Sequence, residues 1–248
     1  MKPVCDKGTV DGGRALISAE ENRRMFDGIS RRYDLLNRII SLGMDRTWRR
    51  KAVDQLLVKR GGHYVDAGCG TGALSMEIGS LLGRDAVRVS GFDVSTVMLE
   101  EGVRRVRAAG LEQCVSLCNS DVLAMPLADA TVDGVISGFV IRNIVDRPGA
   151  LAEWSRVLKP GGRCVVLELA IPERPLARLF YRMITRLLVP TAGFILSRHR
   201  AYVYLLESIR TFPSTDVVLA MFRDARFLDV QSMPLTFGAV RIYRGTKP

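Results

Sequence analysis

The run Val65-Asp66-Ala67-Gly68-Cys69-Gly70-Thr71-Gly72 is the part of the chain best suited to chemistry. An apolar entry (His63, Tyr64, Val65), an acid and three alternating glycines precede a segment of helical character from Ala73 to Leu82. That reads as a strand, a tight turn and a helix start, the arrangement by which an α/β sheet brings backbone up to a nucleotide. Glycines there allow positive φ and carry no Cβ to hold a ligand off. Twenty-one residues after Gly72, Asp93 ends a second apolar segment (Val87, Val89, Gly91, Phe92). An acid at that place suits hydrogen bonding to two ribose hydroxyls. The spacing is Gly-x-Gly-x-Gly, not the Gly-x-Gly-x-x-Gly that holds a dinucleotide. A nucleoside cofactor without a pyrophosphate follows, and S-adenosylmethionine fits best.

The elements that must position these residues alternate. Apolar positions Met25, Ile29, Tyr33, Leu36 and Ile39 recur at helical steps from Asn22 to Ile40, and Asp45 is placed to cap a second helix through Trp48 to Val58. After Asp93, Ser95 caps a helix from Thr96 to Ala109. Strands are expected at Cys114 to Cys118, Thr131 to Ser137 and Cys164 to Leu169, with a helix from Pro148 to Leu158 and a turn at Lys159-Pro160-Gly161-Gly162. Alternation at this spacing means a parallel, doubly wound sheet. Residues 172–212 interrupt it. There Leu176, Leu179, Phe180, Met183, Ile184, Leu187 and Leu188 make an apolar stripe, with Arg178, Arg182 and Arg186 on another face and a second helical piece from Tyr202 to Ile209. A last helix at 214–224 and an antiparallel hairpin (Phe227 to Met233, Ala239 to Arg244) close the chain. One domain over 1–248 is expected: N-terminal helices at 20–60, a cofactor-binding core at 61–171, a helical insertion at 172–212, and the closing helix and hairpin at 213–248.

Length and composition bound the possibilities. The 248 residues can bury one large core, and 48% apolar with 7% aromatic is ordinary for a globular protein. No charge-free apolar run reaches the ~18 residues of a membrane span, and the polar N-terminus carries no secretory pattern, so a cytoplasmic protein is expected. Cys114 and Cys118 lack a second Cys/His pair, so no metal is expected. The net charge of +10 is unevenly divided. Residues 1–60 hold 14 Lys/Arg against 8 Asp/Glu, a net +6, and residues 172–212 hold 7 against 2, a net +5. Residues 61–171 hold 10 against 13, a net −3, and residues 213–248 hold 5 against 3, a net +2. An anionic surface would be met by the flanks, not by the core.

The Gly loop, Asp93, Asp121 before a turn, and Pro160-Gly161-Gly162 before strand five together resemble the class I S-adenosylmethionine-dependent methyltransferases. Three further stretches narrow the resemblance. They are Phe26 to Asn37 with Trp48-Arg49-Arg50, then Gly138-Phe139-Val140-Ile141-Arg142-Asn143, then Ala201-Tyr202 through Glu207-Ser208-Ile209-Arg210. With Leu235-Thr236-Phe237-Gly238 they look like the menaquinone/ubiquinone C-methyltransferases, from about Met25 to the C-terminus. Val140 and Phe237 stand where that family usually has glycine, and Cys69 where it has Gly or another small residue. The resemblance implies a Rossmann-like α/β fold with a mostly parallel seven-stranded sheet, N-terminal helices and an insertion after strand five. It implies cofactor contacts from Asp66, Gly68, Gly70, Thr71, Asp93, Val94, Asp121, Val122 and Gly138. Asp121 also reads as a turn-forming residue.

The reaction such a family performs is attack by a phenol ring carbon on a sulfonium methyl group. The protein must orient two reactants and favour phenolate over phenol. Arg142, just past the carboxyl end of strand four, is the first choice for that second task. Its alternative is a structural pair with Asp146. Glu168, at the ligand-side end of strand five, can accept a proton, orient a water or pack. Tyr181 can hydrogen-bond the quinol or serve as ordinary core, as can Tyr33. His63 lies at the wrong end of the sheet and His199 sits among arginines, so a water or solvent base is expected. The partners expected are a polyprenylated quinol, a membrane surface met peripherally by the amphipathic flanks, and a second copy or a quinone-synthesis complex, with no nucleic acid. Two other readings stay open: a methyltransferase acting on RNA or another small molecule, and an inactive cofactor-binding scaffold. The first finds no Asn/Asp-Pro-Pro-aromatic run after strand four.

Overall fold

The computed structural model describes Arg38 and residues 41–83, 86–179 and 199–248, the side chains of 199–203 excepted. In chain order the elements are α1 (Asp45–Leu56), β1 (His63–Ala67), α2 (Ala73–Leu81), β2 (Arg88–Asp93), α3 (Thr96–Ala108), β3 (Val115–Asn119), β4 (Val132–Gly138), a 3-10 turn η1 (Ile141–Asn143), α4 (Arg147–Val157), β5 (Leu158–Leu169), α5 (His199–Thr211), α6 (Thr215–Asp224), β6 (Leu228–Leu235), η2 (Thr236–Gly238) and β7 (Val240–Thr246). The helix expected at 22–40 (Arg38 excepted), the stripe from Phe180 onward, Tyr33 and Tyr181 lie outside the described residues.

The seven strands form one sheet in the order β3-β2-β1-β4-β5-β7-β6. Strands β1 to β5 pair in parallel, and β7 runs antiparallel to both β5 and β6, so six strands share one direction. Central strands are buried along nearly their whole length because helices cover both faces. One face packs Trp154 and Leu151 of α4 with Phe222 of α6; the other packs Trp48 and Leu56 of α1 with Ile78 of α2. Chain order reverses between β1 and β4, and the crevice beyond the carboxyl ends of those strands is where ligands bind in open α/β sheets. The pairing of Leu235 and of Leu169 with Val240 sets the β6–β7 tip at that same end.

Two local expectations change. Asp45 is the first residue of α1, not its cap: its carboxylate accepts from Ser41 Oγ at 3.1 Å and pairs with Arg49 at 2.7 Å. The Lys159–Gly162 turn is drawn into β5, which meets β4 at Val132↔Leu158 and again at Gly134↔Arg163 with a bulge between. Gly161, at φ 76°, lets the bulge turn while its N–H donates to Lys247 O. Ser95 caps α3 as expected, accepting from Met98 N at 3.1 Å.

Candidate functional site

Beyond the carboxyl ends of β1, β2 and β4 lies a cavity of about 330 Å³. All nine residues expected to hold the cofactor line it: Asp66, Gly68, Gly70, Thr71, Asp93, Val94, Asp121, Val122 and Gly138. The Gly loop reaches it through left-handed turns at Gly68 (φ 78°), Gly70 (φ 51°) and Gly72 (φ 75°). A Cβ on Gly68 would stand 2.5 Å from Val140, whereas one on Gly70 would meet no atom within 4 Å. Gly70 therefore keeps space open to a ligand, and Gly68 lets the loop touch the opposite wall. The loop's N–H groups are spent internally: Gly68 and Cys69 both donate to Phe92 O, and Gly70 N donates to Asp93 Oδ2 at 2.8 Å. Its contribution is mainly shape. Helix α3 presses close behind, where Gly102 leaves no room for a Cβ against Leu117 and the Thr71 backbone, and Arg105 donates to Thr71 Oγ1 at 2.8 Å.

The acids differ in state. Asp66 is 1% exposed, and its Oδ2 accepts from Ser75 N at 2.9 Å and Ser75 Oγ at 2.6 Å. Its Oδ1 has no partner among the described residues. Burial pushes its carboxyl up to about 6, against the pull of the Ser75 bonds. A buried, orphaned carboxylate oxygen in a cavity wall fits a cationic ligand group such as an amino acid's ammonium. Asp93 accepts from Gly70 N at 2.8 Å and from Ser95 N at 2.9 Å, which fixes its carboxylate at the cavity wall. Asp121 folds its own turn by accepting from Leu123 N at 2.9 Å while also lining the cavity. The orphaned Asp66 oxygen, the Asp93 carboxylate fixed in the wall and the open space at Gly70 fit S-adenosylmethionine.

The opposite wall is Phe139, Val140, Asn143, Ile144 and Val145, carried by η1 and its flanks. Here the structure corrects the reading of Arg142 and Glu168: neither lines the cavity. Arg142 is 4% exposed and turns inward, its Nη1 donating to Glu168 Oε1 at 2.6 Å and to Phe139 O at 2.6 Å. Glu168 also accepts from Arg142 N and from Leu169 N. Its partner is therefore not Asp146, which instead caps α4 by accepting from Gly149 N. Arg147 clasps η1 from outside, donating to Ile141 O and Arg142 O at 3.1 Å each, with its guanidinium 5.8 Å from the Phe212 ring centroid.

Two functional candidates were not singled out by sequence. Asn143 faces the cavity, and its Oδ1 accepts from Tyr204 Oη at 3.0 Å. That leaves the amide's NH₂ as what Asn143 can offer a ligand. Arg49 lines the cavity too, held by Asp45. Both stand inside the characteristic runs Trp48-Arg49-Arg50 and Gly138 to Asn143. His63 is bound to Ser90 Oγ at the opposite end of the sheet, as expected.

A model of the ubiE/COQ5 methyltransferase family matches residues 16–247. The chain is 40% identical to the ubiquinone/menaquinone biosynthesis C-methyltransferase UbiE of Syntrophotalea carbinolica, over 92% of this chain and 94% of that one. It is 35% identical to a demethylmenaquinone methyltransferase of Bacteroides fragilis, over 92% and 93%. Among solved structures, a Thermotoga maritima S-adenosylmethionine-dependent methyltransferase superposes with a TM-score of 0.61 at 20% identity, covering 91% of this chain and 99% of that one. The Haemonchus contortus phosphoethanolamine N-methyltransferase 2 with S-adenosyl-L-methionine gives 0.59 at 17%, over 81% and 52%. The structural likeness carries the fold, the sequence likeness carries the kinship, and the chain belongs to the ubiE/COQ5 methyltransferase family.

Proposed function

We propose that this chain methylates a ring carbon of a polyprenylated quinol in the biosynthesis of menaquinone, ubiquinone or both, with S-adenosylmethionine as cofactor. The observation that carries the reading is a single cavity with two unlike walls. One is acidic and glycine-shaped (Asp66, Asp93, Gly70); the other is apolar (Phe139, Val140, Ile144, Val145) with one amide, Asn143, among it. A flat, largely apolar ring with a few oxygens fits the second wall. The names of the relatives, UbiE C-methyltransferase and demethylmenaquinone methyltransferase, support the same substrate class.

S-adenosylmethionine supplies an electrophilic methyl group when bound. The protein holds the nucleoside by Asp93 and the methionine ammonium by Asp66 Oδ1. Asn143 Nδ2 donates to the quinol's ring oxygen and so favours its deprotonated form, which makes the adjacent carbon nucleophilic. Tyr204 fixes the amide. Arg142 is a positioning residue: with Glu168 it pins η1 and hence Asn143. The ring hydroxyl's proton passes to solvent, the methylated carbon gives up its proton as the ring regains aromaticity, and the ring oxygen takes one proton back, so each transfer releases one proton in net. The apolar wall excludes water from the ring, and placing two reactants together supplies several kcal/mol.

The enzyme works at a membrane surface, held there peripherally by its basic flanks. Among the described residues no helix is long and apolar enough to cross a membrane. Labelled methyl transfer tests the activity, with demethylmenaquinol, a benzoquinol analogue lacking the methyl group, and RNA as acceptors. Label in a quinol is the expected result. Label in RNA alone, or binding of cofactor with no transfer to any acceptor, would replace this reading.

A further inference from the structure

The tip of the β6–β7 hairpin carries a contradiction. Phe237 is 88% exposed, more than any other large apolar side chain among the described residues. It also holds φ 56°, following Thr236 at φ 45°. A bulky residue at positive φ is strained, and an aromatic ring in water forgoes burial. The neighbouring turn repeats the pattern: Leu42 is 66% exposed at φ 52°. Thr236 Oγ1 joins the two turns, lying 3.9 Å from Met44 Sδ and accepting from Trp48 Nε1 at 2.8 Å. Among the described residues, neither Leu42 nor Phe237 is buried against a partner at its position.

The surroundings say what would cover them. Exposed Arg38 and Arg46 flank Leu42. Pro172 lies 3.6 Å from the Cβ position of Gly238, which brings the start of the 173–179 segment alongside the tip. That segment adds exposed Leu176, Leu179, Arg174 and Arg178. The acids nearby are engaged, Asp45 by Arg49 and Glu173 by Arg241. Apolar tips ringed by arginines complement an anionic lipid leaflet, not a water layer and not a basic partner. The patch also adjoins the cavity, because Trp48 meets the Phe139 ring edge-on at 6.4 Å and Phe139 lines the wall.

We propose that Phe237 and Leu42 insert together into the interfacial layer of an anionic bilayer and hold the cavity mouth against it. This deepens the peripheral placement proposed above and rests on it for its purpose, since a polyprenyl chain would then enter the cavity without crossing water. Three measurements test it. First, Phe237→Ser and Leu42→Ser/Phe237→Ser should sediment with phosphatidylglycerol-containing vesicles at least tenfold less than the parent chain. Both should turn over a short-chain, water-soluble quinol at the parent rate. Second, Phe237→Trp should shift its emission to the blue on vesicle addition and be quenched by brominated lipid. Third, gel filtration of parent and Phe237→Ser should give the same size. Equal sedimentation of parent and variants, an unmoved Trp emission, or dissociation of a parent dimer by Phe237→Ser would each overturn the proposal. The last would assign the tip to a second copy. Label transferred only to RNA with vesicle binding intact would sink the quinol reading and leave the anchor standing.

Discussion

The two walls of the cavity are made in different ways. The cofactor wall is a backbone feature, in which glycines at positive φ shape a loop that hydrogen-bonds to the end of the next strand. The wall proposed to hold the substrate is a side-chain feature, a three-residue turn with no regular pairing of its own. It is held by Arg142–Glu168 from below, Arg147 from the side and Tyr204 from α5. A backbone cradle suits a ligand that never changes, because few side-chain substitutions reach it. A turn clamped from behind can hold different ring substituents by changing what stands on it, as Val140 does here. The difference predicts where damage spreads: on the substrate wall through the clamp, on the cofactor wall only locally.

The sharpest test is Glu168→Ala. It leaves Arg142 buried without its counter-charge, which costs about 3–5 kcal/mol when a buried pair is broken from one side. We expect a large fall in the urea midpoint together with loss of quinol turnover. Glu168→Gln, which keeps the acceptor oxygen for Leu169 N, should fall less. A Glu168→Ala protein with the parent's urea midpoint would show that the clamp does not support the wall.

Asp66 gives the next effect, through pH. Its folded pKa of about 6 lies above the ordinary 3.8, because burial disfavours the charge. Such a group stabilises the unliganded fold fully below about pH 4 and loses that contribution as pH rises through 6, roughly 3 kcal/mol in all. An ammonium beside Oδ1 reverses the preference, since it wants the carboxylate. Cofactor affinity should therefore weaken as pH falls through about 6, with proton release on binding in that range, measured by calorimetry in buffers of different ionisation enthalpy. Asp66→Asn should abolish the proton release and lower the affinity. A pH-independent affinity in the parent would move the ammonium elsewhere.

Gly70→Ala and Gly68→Ala compare two points within the cofactor wall. At Gly70 the new methyl meets open space, so the fold loses only about 1–2 kcal/mol of left-handed strain. The methyl enters the cavity, however, and cofactor affinity should fall more than stability does. At Gly68 the same strain is joined by a clash with Val140, and stability should fall more than at Gly70. If both variants lose stability alike and Gly70→Ala binds cofactor as the parent does, the loop is not shaped around a ligand.

What the sequence made legible was what depends on spacing along the chain. The Gly loop, Asp93 at the end of its apolar segment, the Ser95 cap and the closing hairpin each rest on a pattern local to one stretch of chain, and each stands where the spacing put it. The Arg142–Glu168 pair was not legible, although both residues were singled out, because 26 residues separate them and only the β4–β5 register brings them together. Asn143 was missed for a related reason. In a 3-10 turn successive side chains point about 120° apart, so Arg142 inward sends Asn143 to the cavity. Which of two adjacent polar residues faces a ligand follows from the turn's rotation, and the letters alone do not fix that. Asp45 was misassigned because an acid at a helix start serves equally as a cap or as an ion-pair partner one turn on, and Arg49 decides it.

Tyr204→Phe gives the smallest effect and the most specific one. It deletes a single hydrogen bond, Tyr204 Oη to Asn143 Oδ1, without touching the cavity lining. A neutral hydrogen bond contributes about 1 kcal/mol, so turnover should fall by roughly five- to tenfold. A merely structural loss would lower stability and leave the pH profile in place. Loss of an oriented donor does something else, because the ring hydroxyl then deprotonates less readily and the rising limb of turnover against pH moves to higher pH. Asn143→Ala should move the limb at least as far and cut turnover more, with cofactor affinity unchanged in both. If Tyr204→Phe shifts neither turnover nor its pH dependence while Asn143→Ala shifts both, the amide orients itself. The clamp would then end at Arg142 and Arg147, and α5 would be packing against η1 without directing it.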